Sequence, residues 1–251
     1  MCCTNLKRSK KLTVEAFIIA LEKAGINLTE QQIQQFELYF NMLVTRNKQV
    51  NLTAITEKND VYLKHFYDSL TVAFYVSALR TDDKTLIDIG AGAGFPSLPL
   101  KIIFPQLRIT MVDALQKRVN FLQDVVTELN LSGVEIVHGR AEDIGQDPNY
   151  REKFDYATAR AVARTSVLAE YTLPFVKVGG SFLVMKGSAA EQELAEGQRA
   201  LTLLGGTLNE TFDFSLPNGD KRYVQIVNKN KKTPKQYPRQ AGTPNKKPIG
   251  H

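Results

Sequence analysis

Apolar residues recur at helical spacing through the first eighty residues of the chain. From Val14 they stand three and four positions apart, which places them on one face of a helix. Thr29 followed by Gln32 has the spacing of a capping box at the start of a second helix. A third helix is expected through residues 62–70, before a polar break. The pattern therefore predicts a helical region over residues 1–80.

Beyond this break, short apolar runs alternate with longer segments of helical periodicity. Such alternation predicts an α/β domain over residues 81–228, built on a mostly parallel sheet covered on both faces. The last two runs lie close together, which predicts an antiparallel hairpin at one edge of the sheet. The expected strands are Thr85–Ile89, Arg108–Val112, Val134–Val137, Tyr156–Ala159, Ser181–Met185, a weaker one near Thr207–Phe214, and Tyr223–Val227.

The two ends of the chain are basic and its body is acidic. Residues 1–12 hold four basic residues and residues 221–251 hold nine, with no acidic residue in either segment. The remaining body holds 19 basic and 26 acidic residues, a net charge of −7. Residues 229–251, with four prolines, are expected to form an extended or disordered basic tail. Basic ends commonly bind nucleic acid phosphates, although a solvated tail that binds nothing remains the alternative.

Several classes of protein are excluded by composition. The only cysteines, Cys2 and Cys3, are adjacent, so they neither crosslink the fold nor provide the ligand spacing of a metal site. No run approaches the ~18 apolar residues of a membrane span, and no apolar segment follows the basic start as in a signal peptide. We therefore expect a cytoplasmic protein without membrane span or metal, whose MCC leader is either disordered or a misassigned start.

The first predicted strand runs directly into three glycines at alternate positions. Gly90, Gly92 and Gly94 allow a ligand to approach the backbone, and the next helix, expected near Pro99, directs its positive end to the same place. Dinucleotide dehydrogenases use a related turn, but with different glycine spacing. Asp88, inside the strand, favours a cofactor with an ammonium group over one with a pyrophosphate. Its alternative role is to brace the loop as a hydrogen-bond acceptor.

Acidic residues follow the next two strands. Asp113 ends the second strand, 23 residues after Gly90, where a carboxylate can accept both ribose hydroxyls of an adenosine. After the third strand, Glu142 and Asp143 are placed to meet an adenine amino group. Each of these acids could instead cap the helix that follows it.

Basic residues end the fourth and fifth strands. Arg160 emerges from an apolar run at the sheet edge where ligands of open α/β folds bind, so it could hold a carboxylate or phosphate, or form a structural ion pair. Lys186 holds the analogous position with less support. His65 and Asp68 lie three apart on one helix face, where acid–base chemistry and simple burial both remain possible.

Together these motifs resemble the RsmG (GidB) family of bacterial 16S rRNA methyltransferases. The likeness runs from roughly Leu12 to the end of the chain, and the second and last blocks are the most specific to the family. It rests on the blocks NLTAI (Asn51–Ile55), HFYDSL (His65–Leu70), LIDIGAGAGFPSLPL (Leu86–Leu100), GRAED (Gly139–Asp143), ARAV (Ala159–Val162) and YPRQAGTPNKKPI (Tyr237–Ile249).

The resemblance implies a class I methyltransferase fold, Rossmann-like with a mostly parallel seven-stranded sheet and an N-terminal helical extension. It implies transfer of a methyl group from S-adenosyl-L-methionine to N7 of a guanine in 16S rRNA or the assembling small subunit. Ser97 stands where the family frequently has glycine. Because their blocks distinguish this family, the resemblance also favours a functional role for His65, Asp68 and the tail. The cofactor contacts implied by position are Gly90, Phe95, Asp113, Ala114, Leu115, Ala141, Glu142 and Arg160.

Guanine N7 carries an in-plane lone pair, so it can attack a sulfonium methyl without a base that removes a proton. We therefore expect catalysis by proximity, orientation and charge, with Arg160, Lys186, His65 and Asp68 in orienting roles. No metal and no covalent intermediate are expected, and the protein should be a monomer.

Three other functions remain open from the sequence. A methyltransferase acting on a small molecule or a protein would not need the basic ends. A nicotinamide-dependent oxidoreductase is opposed by Asp88 and by the glycine spacing. A non-catalytic rRNA-binding protein could retain the same fold.

Overall fold

The structure is a computed structural model that describes residues 12–160 and 164–250. The predicted leader with Cys2 and Cys3 therefore lies outside the described residues, as do Ala161 and Val162 of the ARAV block.

Six α-helices and one π-helix form the N-terminal part of the described chain. The predicted capping box is confirmed, since Thr29 Oγ1 accepts from Gln32 N at 3.2 Å and Thr29 N donates to Gln32 Oε1 at 2.9 Å. The third predicted helix contains a six-residue π-helix between α3 and α4, a distortion often found at functional sites. In order, the helices are α1 (Val14–Lys23), α2 (Glu30–Val50), α3 (Lys58–Val61), the π-helix (Tyr62–Tyr67), α4 (Asp68–Leu70), α5 (Val72–Tyr75) and α6 (Ala78–Thr81).

The remainder forms a seven-stranded sheet in the order β3-β2-β1-β4-β5-β7-β6. Strands β1 to β5 are parallel, and β7 is antiparallel to both of its neighbours, so the predicted seven strands and the edge hairpin are confirmed. The elements are β1 (Thr85–Ile89), α7 (Ser97–Ile103), β2 (Arg108–Asp113), α8 (Gln116–Glu128), β3 (Val134–His138), α9 (Ala141–Ile144), β4 (Phe154–Arg160), α10 (Thr165–Thr172), β5 (Val176–Lys186), α11 (Ala190–Leu203), β6 (Gly206–Ser215), β7 (Lys221–Lys229) and α12 (Thr243–Lys246).

Two hydrophobic layers cover the two faces of the sheet. One joins Phe17 and Phe66 of the N-terminal helices to α7, α8 and strand residues such as Leu86. The other joins α10 and α11 to the opposite face, around Phe182 and Val227. Because the N-terminal helices share a core with the sheet, they bring the HFYDSL block to the carboxyl ends of the strands. Among the described residues, no helix is both long and apolar enough to cross a membrane.

The basic tail packs against the domain, which corrects the expectation of disorder. The guanidinium of Arg151 donates to the backbone carbonyls of Thr233 at 2.9 Å and Tyr237 at 2.7 Å. The buried carboxylate of Glu170 accepts both Nε and Nη2 of Arg239. Apart from α12, the tail has little regular structure, so it is extended but fixed. The sequence signal was misleading because prolines and lysines also occur in segments that are held by side-chain contacts from elsewhere in the fold.

Candidate active site

The glycine loop leaves β1 in a backbone conformation that favours glycine. The φ angles of Gly90, Gly92 and Gly94 are +70°, +61° and +95°. Gly90 N donates to Val112 O at 2.8 Å, and Gly92 N donates to Asp113 Oδ2 at 2.9 Å. The loop is thereby fixed to the carboxyl end of β2. The following helix begins at Ser97, two residues before the expected position.

A cavity of about 500 Å³ opens above this loop. A smaller cavity of about 220 Å³ adjoins it and shares Gly90, Asp113 and Ala114 with it. The predicted cofactor residues in the larger cavity are Gly90, Gly92, Phe95, Asp113, Ala114, Leu115 and Arg160, and those in the smaller one include Ala141 and Glu142. Asp88 and Gly94 line neither cavity.

The carboxylate of Asp113 is buried and held by the backbone. Its Oδ1 accepts from Leu115 N at 2.9 Å, and its Oδ2 accepts from Gly92 N at 2.9 Å. Arg118 lies 3.6 Å from Oδ2. Each carboxylate oxygen keeps further acceptor capacity, so the group is oriented and can still bind a pair of hydroxyls.

Asp88 lies fully buried beneath the loop. One oxygen, Oδ2, accepts from Ser97 Oγ at 2.7 Å, which is the bracing role weighed from the sequence. The other, Oδ1, has no hydrogen-bond partner in the described part of the chain. Burial raises the pKa of Asp88 to about 7. A donor with positive charge near this oxygen would restore the ionised form, so the site fits a cofactor that carries an ammonium group.

Gly94 serves packing, not the cavity wall. A Cβ at this position would lie 2.8 Å from Leu98 Cγ and 3.0 Å from the Tyr39 hydroxyl. That hydroxyl makes a short hydrogen bond to Ala93 O. The third glycine therefore allows α2 and α7 to close on the loop from below.

Arg160, at the carboxyl end of β4, is the centre of the site. Its Nη1 lies 3.3 Å from Lys64 O and 3.4 Å from Asp68 Oδ2, and its Nη2 lies 3.1 Å from His65 Nδ1. The guanidinium also lies over the ring of Phe95, 5.2 Å from its centroid. Burial lowers the pKa of Arg160 from its ordinary value, and the neighbouring carboxylates of Asp68 and Asp88 oppose that change.

These contacts fix the protonation state of His65. Arg160 can only donate, so Nδ1 accepts, and the ring proton lies on Nε2, which donates to Thr53 Oγ1 at 2.8 Å. Burial and then the Arg160 cation lower the pKa of His65 to about 3. The ring stacks on Phe95 with centroids 4.4 Å apart. His65 is thus neutral near pH 7 and acts as part of the wall.

A second, basic cleft of about 640 Å³ lies on the other side of this wall. Asp68 bridges two arginines there, with Oδ2 3.4 Å from Arg160 Nη1 and 3.2 Å from Arg222 Nε. Lys186 donates to Glu193 Oε2 at 2.7 Å. The charged residues that line the cleft are Lys64, Asp68, Arg160, Arg164, Lys186, Glu193 and Arg222.

The structure brings together all four residues predicted to orient the reaction, because His65, Asp68, Arg160 and Lys186 line this one cleft. His65 and Arg160 line the cofactor cavity as well. They form the wall between two compartments, one with the features of a nucleoside cofactor site and one suited to an anionic ligand.

Several residues in the site were not found from the sequence. Thr53 and Lys64 lie in or next to the NLTAI and HFYDSL blocks, so their position was available as a signal. Arg222 had no such signal, since a basic residue at the start of a strand is common, and only the fold brings it to Asp68.

In the described ranges 12–160 and 164–250, no group of three or more acidic, histidine or cysteine side chains is placed to hold a metal ion.

Residues 32–219 match the family described as GidB, rRNA small subunit methyltransferase G. The chain is 76% identical to ribosomal RNA small subunit methyltransferase G of Leuconostoc citreum over 238 residues, covering 95% of this chain and 100% of that protein. It is 54% identical to the protein of the same name from Lactococcus lactis subsp. cremoris strain MG1363, with the same two shares.

Solved structures show the fold at much lower sequence identity. M. jannaschii TYW2, solved in complex with AdoMet, matches with a TM-score of 0.50 and 13% identity over 64% of this chain and 75% of that one. A putative sarcosine dimethylglycine methyltransferase from Galdieria sulphuraria matches with a TM-score of 0.50 and 11% identity, over 65% of this chain and 86% of that one. The seven-stranded sheet is therefore that of class I S-adenosylmethionine-dependent methyltransferases.

Proposed function

The chain belongs to the rRNA small subunit methyltransferase G family and is an S-adenosyl-L-methionine-dependent rRNA methyltransferase, and we propose that it methylates guanine N7 of 16S rRNA at the wall formed by His65 and Arg160. The observation that carries this proposal is that these two residues line both the cofactor cavity and the basic cleft. A methyl group at the wall would face a base that enters from the other side.

The cofactor residues divide along the two adjoining cavities. Asp113, oriented by two backbone amides, would accept the ribose hydroxyls, and Glu142 in the smaller cavity would accept the adenine amino group. Arg160 would hold the carboxylate of the methionine part, and Asp88 would balance its ammonium group from beneath the loop. S-adenosylmethionine supplies an electrophilic methyl group on a sulfonium.

The residues around the wall position the base and remove no proton from it. Guanine N7 has no proton to lose, and His65, with its pKa lowered to about 3, is neutral near pH 7 and occupied by Thr53 and Arg160. Asp68 is held between Arg160 and Arg222. Catalysis in this arrangement rests on orientation and charge placement.

The basic cleft is suited to RNA because several cationic side chains line it. Lys64, Arg164 and Arg222 can bind phosphates or the guanine O6, and phosphate contacts supply much of the affinity for nucleic acid. A target base must be unstacked to enter the cleft, which favours a loop or an incompletely assembled subunit. We propose that the protein acts on this substrate in the cytoplasm and as a monomer.

The test measures N7-methylguanosine in 16S rRNA from cells that lack the gene and carry each variant in its place. Wild-type protein should restore the modification, and Arg160→Ala should lower the purified enzyme's methyl transfer rate about 100-fold. Arg108→Ala is the matched control, because Arg108 is an exposed arginine at the opposite end of the parallel strands.

Folding of each variant is checked by circular dichroism and by binding of S-adenosylhomocysteine. Full modification in cells by a folded Arg160→Ala protein would overturn the proposed role of the wall. Modification at another atom or in another RNA would overturn the proposed substrate.

A further inference from the structure

The basic tail contributes two residues to the smaller cavity. Gly242 and Asn245 line it together with Glu142, Asp113 and Tyr171. Gly242 N donates to Glu142 Oε1 at 2.8 Å, although 100 residues separate the two in the sequence. The carboxylate expected to meet the adenine is therefore oriented by the backbone of the tail.

The tail is anchored immediately before these residues. Glu170 on α10 is fully buried, and its Oε1 accepts from Arg239 N at 2.8 Å while its Oε2 accepts from Arg239 Nη2 at 2.6 Å. Gln146 also donates to Pro238 O at 2.8 Å. A buried carboxylate paired with a bidentate arginine fixes both position and direction, so the chain that follows reaches the cavity at a defined place.

Asn245 has the chemistry that an adenine edge requires. Its carboxamide carries a donor and an acceptor, and the same group pairs with both N6 and N7 of adenine in nucleic acid recognition. Its side chain makes no hydrogen bond to another residue in the part of the chain that the structure describes, and it stands on α12 at the cavity wall. Glu142 offers only acceptors, so the two side chains are complementary and do not compete.

We propose that the tail is part of the cofactor site, with Asn245 binding the adenine of S-adenosylmethionine and Gly242 positioning Glu142. This inference rests on the proposed placement of the cofactor in the two adjoining cavities. It makes the tail a determinant of cofactor specificity, because hypoxanthine has a carbonyl oxygen in place of the amino group that the site's acceptors bind.

The test is calorimetric titration of the purified full-length protein, without RNA, with S-adenosylhomocysteine and with S-inosylhomocysteine. Asn245→Ala should bind the adenosyl compound about 10-fold more weakly, the order expected when one hydrogen-bonded contact is lost. Its affinity for the inosyl compound should fall by less, because that compound offers Asn245 the N7 acceptor but no amino group, so discrimination between the two falls. Lys246→Ala is the matched control, since Lys246 is exposed on the same short helix and does not line the cavity.

Arg239→Ala provides a second variant. Loss of the anchor to Glu170 should weaken binding of the adenosyl compound at least as much as Asn245→Ala, because undocking removes Asn245 and the Gly242 amide together. If both variants bind the adenosyl compound as wild type does, the inference is overturned.

A Gly90→Asp variant separates this result from a failure of the proposed cofactor placement. The added carboxylate should block the larger cavity and abolish binding. Normal binding by Gly90→Asp would show that the cofactor lies elsewhere. Loss of binding in Gly90→Asp with full binding in Asn245→Ala would reject only the role of the tail.

Discussion

Replacing Asp88 by asparagine should change how the stability of the protein depends on pH. The side chain keeps its shape, and its oxygen can still accept from Ser97 Oγ. In wild type, burial raises the pKa of Asp88 from 3.8 to about 7. That difference corresponds to about 4 kcal/mol of unfavourable free energy for the ionised form, at ~1.4 kcal/mol for each pH unit.

Proton binding by Asp88 determines whether the free energy of unfolding rises or falls with pH. Between about pH 4 and pH 7 folded wild type holds a proton on Asp88 that the unfolded chain has released, so its free energy of unfolding falls as the pH rises through this window. Asparagine has no such loss. The free energy of unfolding of Asp88→Asn, relative to that of wild type, should therefore rise by about 2–3 kcal/mol between pH 5 and pH 8.

The assay is urea unfolding of both proteins at pH 5, 6, 7 and 8, followed by circular dichroism without cofactor. Other titrating groups largely cancel in the difference between the two proteins. Asp83→Asn serves as the matched control, because its carboxylate is exposed. A stability difference between wild type and Asp88→Asn that is constant over this range would refute the reasoning.

Two further predictions concern the same loop. Cofactor affinity should rise with pH and level off above about pH 7, because Asp88 then ionises and attracts the ammonium group. Titration calorimetry should find this inflection retained in His65→Gln and absent in Asp88→Asn. Loss of the inflection in His65→Gln would assign it to the histidine instead. Gly94→Ala should lower the free energy of unfolding by about 2–3 kcal/mol through strain at φ +95° and overlap with Leu98. Gly179→Ala, at φ +89° with nothing near its Cβ, should show only the strain, about 1 kcal/mol, and equal losses in urea unfolding would contradict the overlap.

Much of the fold could be predicted because helices and strands follow from the local spacing of apolar residues. The seven strands and the capping box at Thr29 depend on residues that are close in sequence, and each was confirmed by the structure. The tail was predicted less well. Its proline and lysine content describes the segment alone, whereas its order comes from Arg151 and Glu170, which lie 69 or more positions before the tail residues that they bind.

The candidate site was predictable in its parts and not in its connections. Strand ends marked Asp113 and Arg160, since parallel strands direct their carboxyl ends to one edge of the sheet. The sequence left Asp88 with two possible roles, bracing the loop or facing the cofactor's ammonium group. In the structure, Oδ2 of Asp88 accepts from Ser97, which fits the first role, and Oδ1 has no hydrogen-bond partner among the described residues, which leaves it for the second. Ser97, where the family frequently has glycine, is the residue that donates to Asp88.

The sequence by itself determined the order of helices and strands, the glycine loop and the family. Those properties depend on spacing between neighbours and on short blocks. Only the tertiary structure decided that His65 is neutral, that Asp68 joins Arg160 to Arg222, and that the tail reaches Glu142. The physical reason is that protonation and ion pairing depend on burial and on charges within a few ångströms, and those neighbours come from segments up to 154 positions apart.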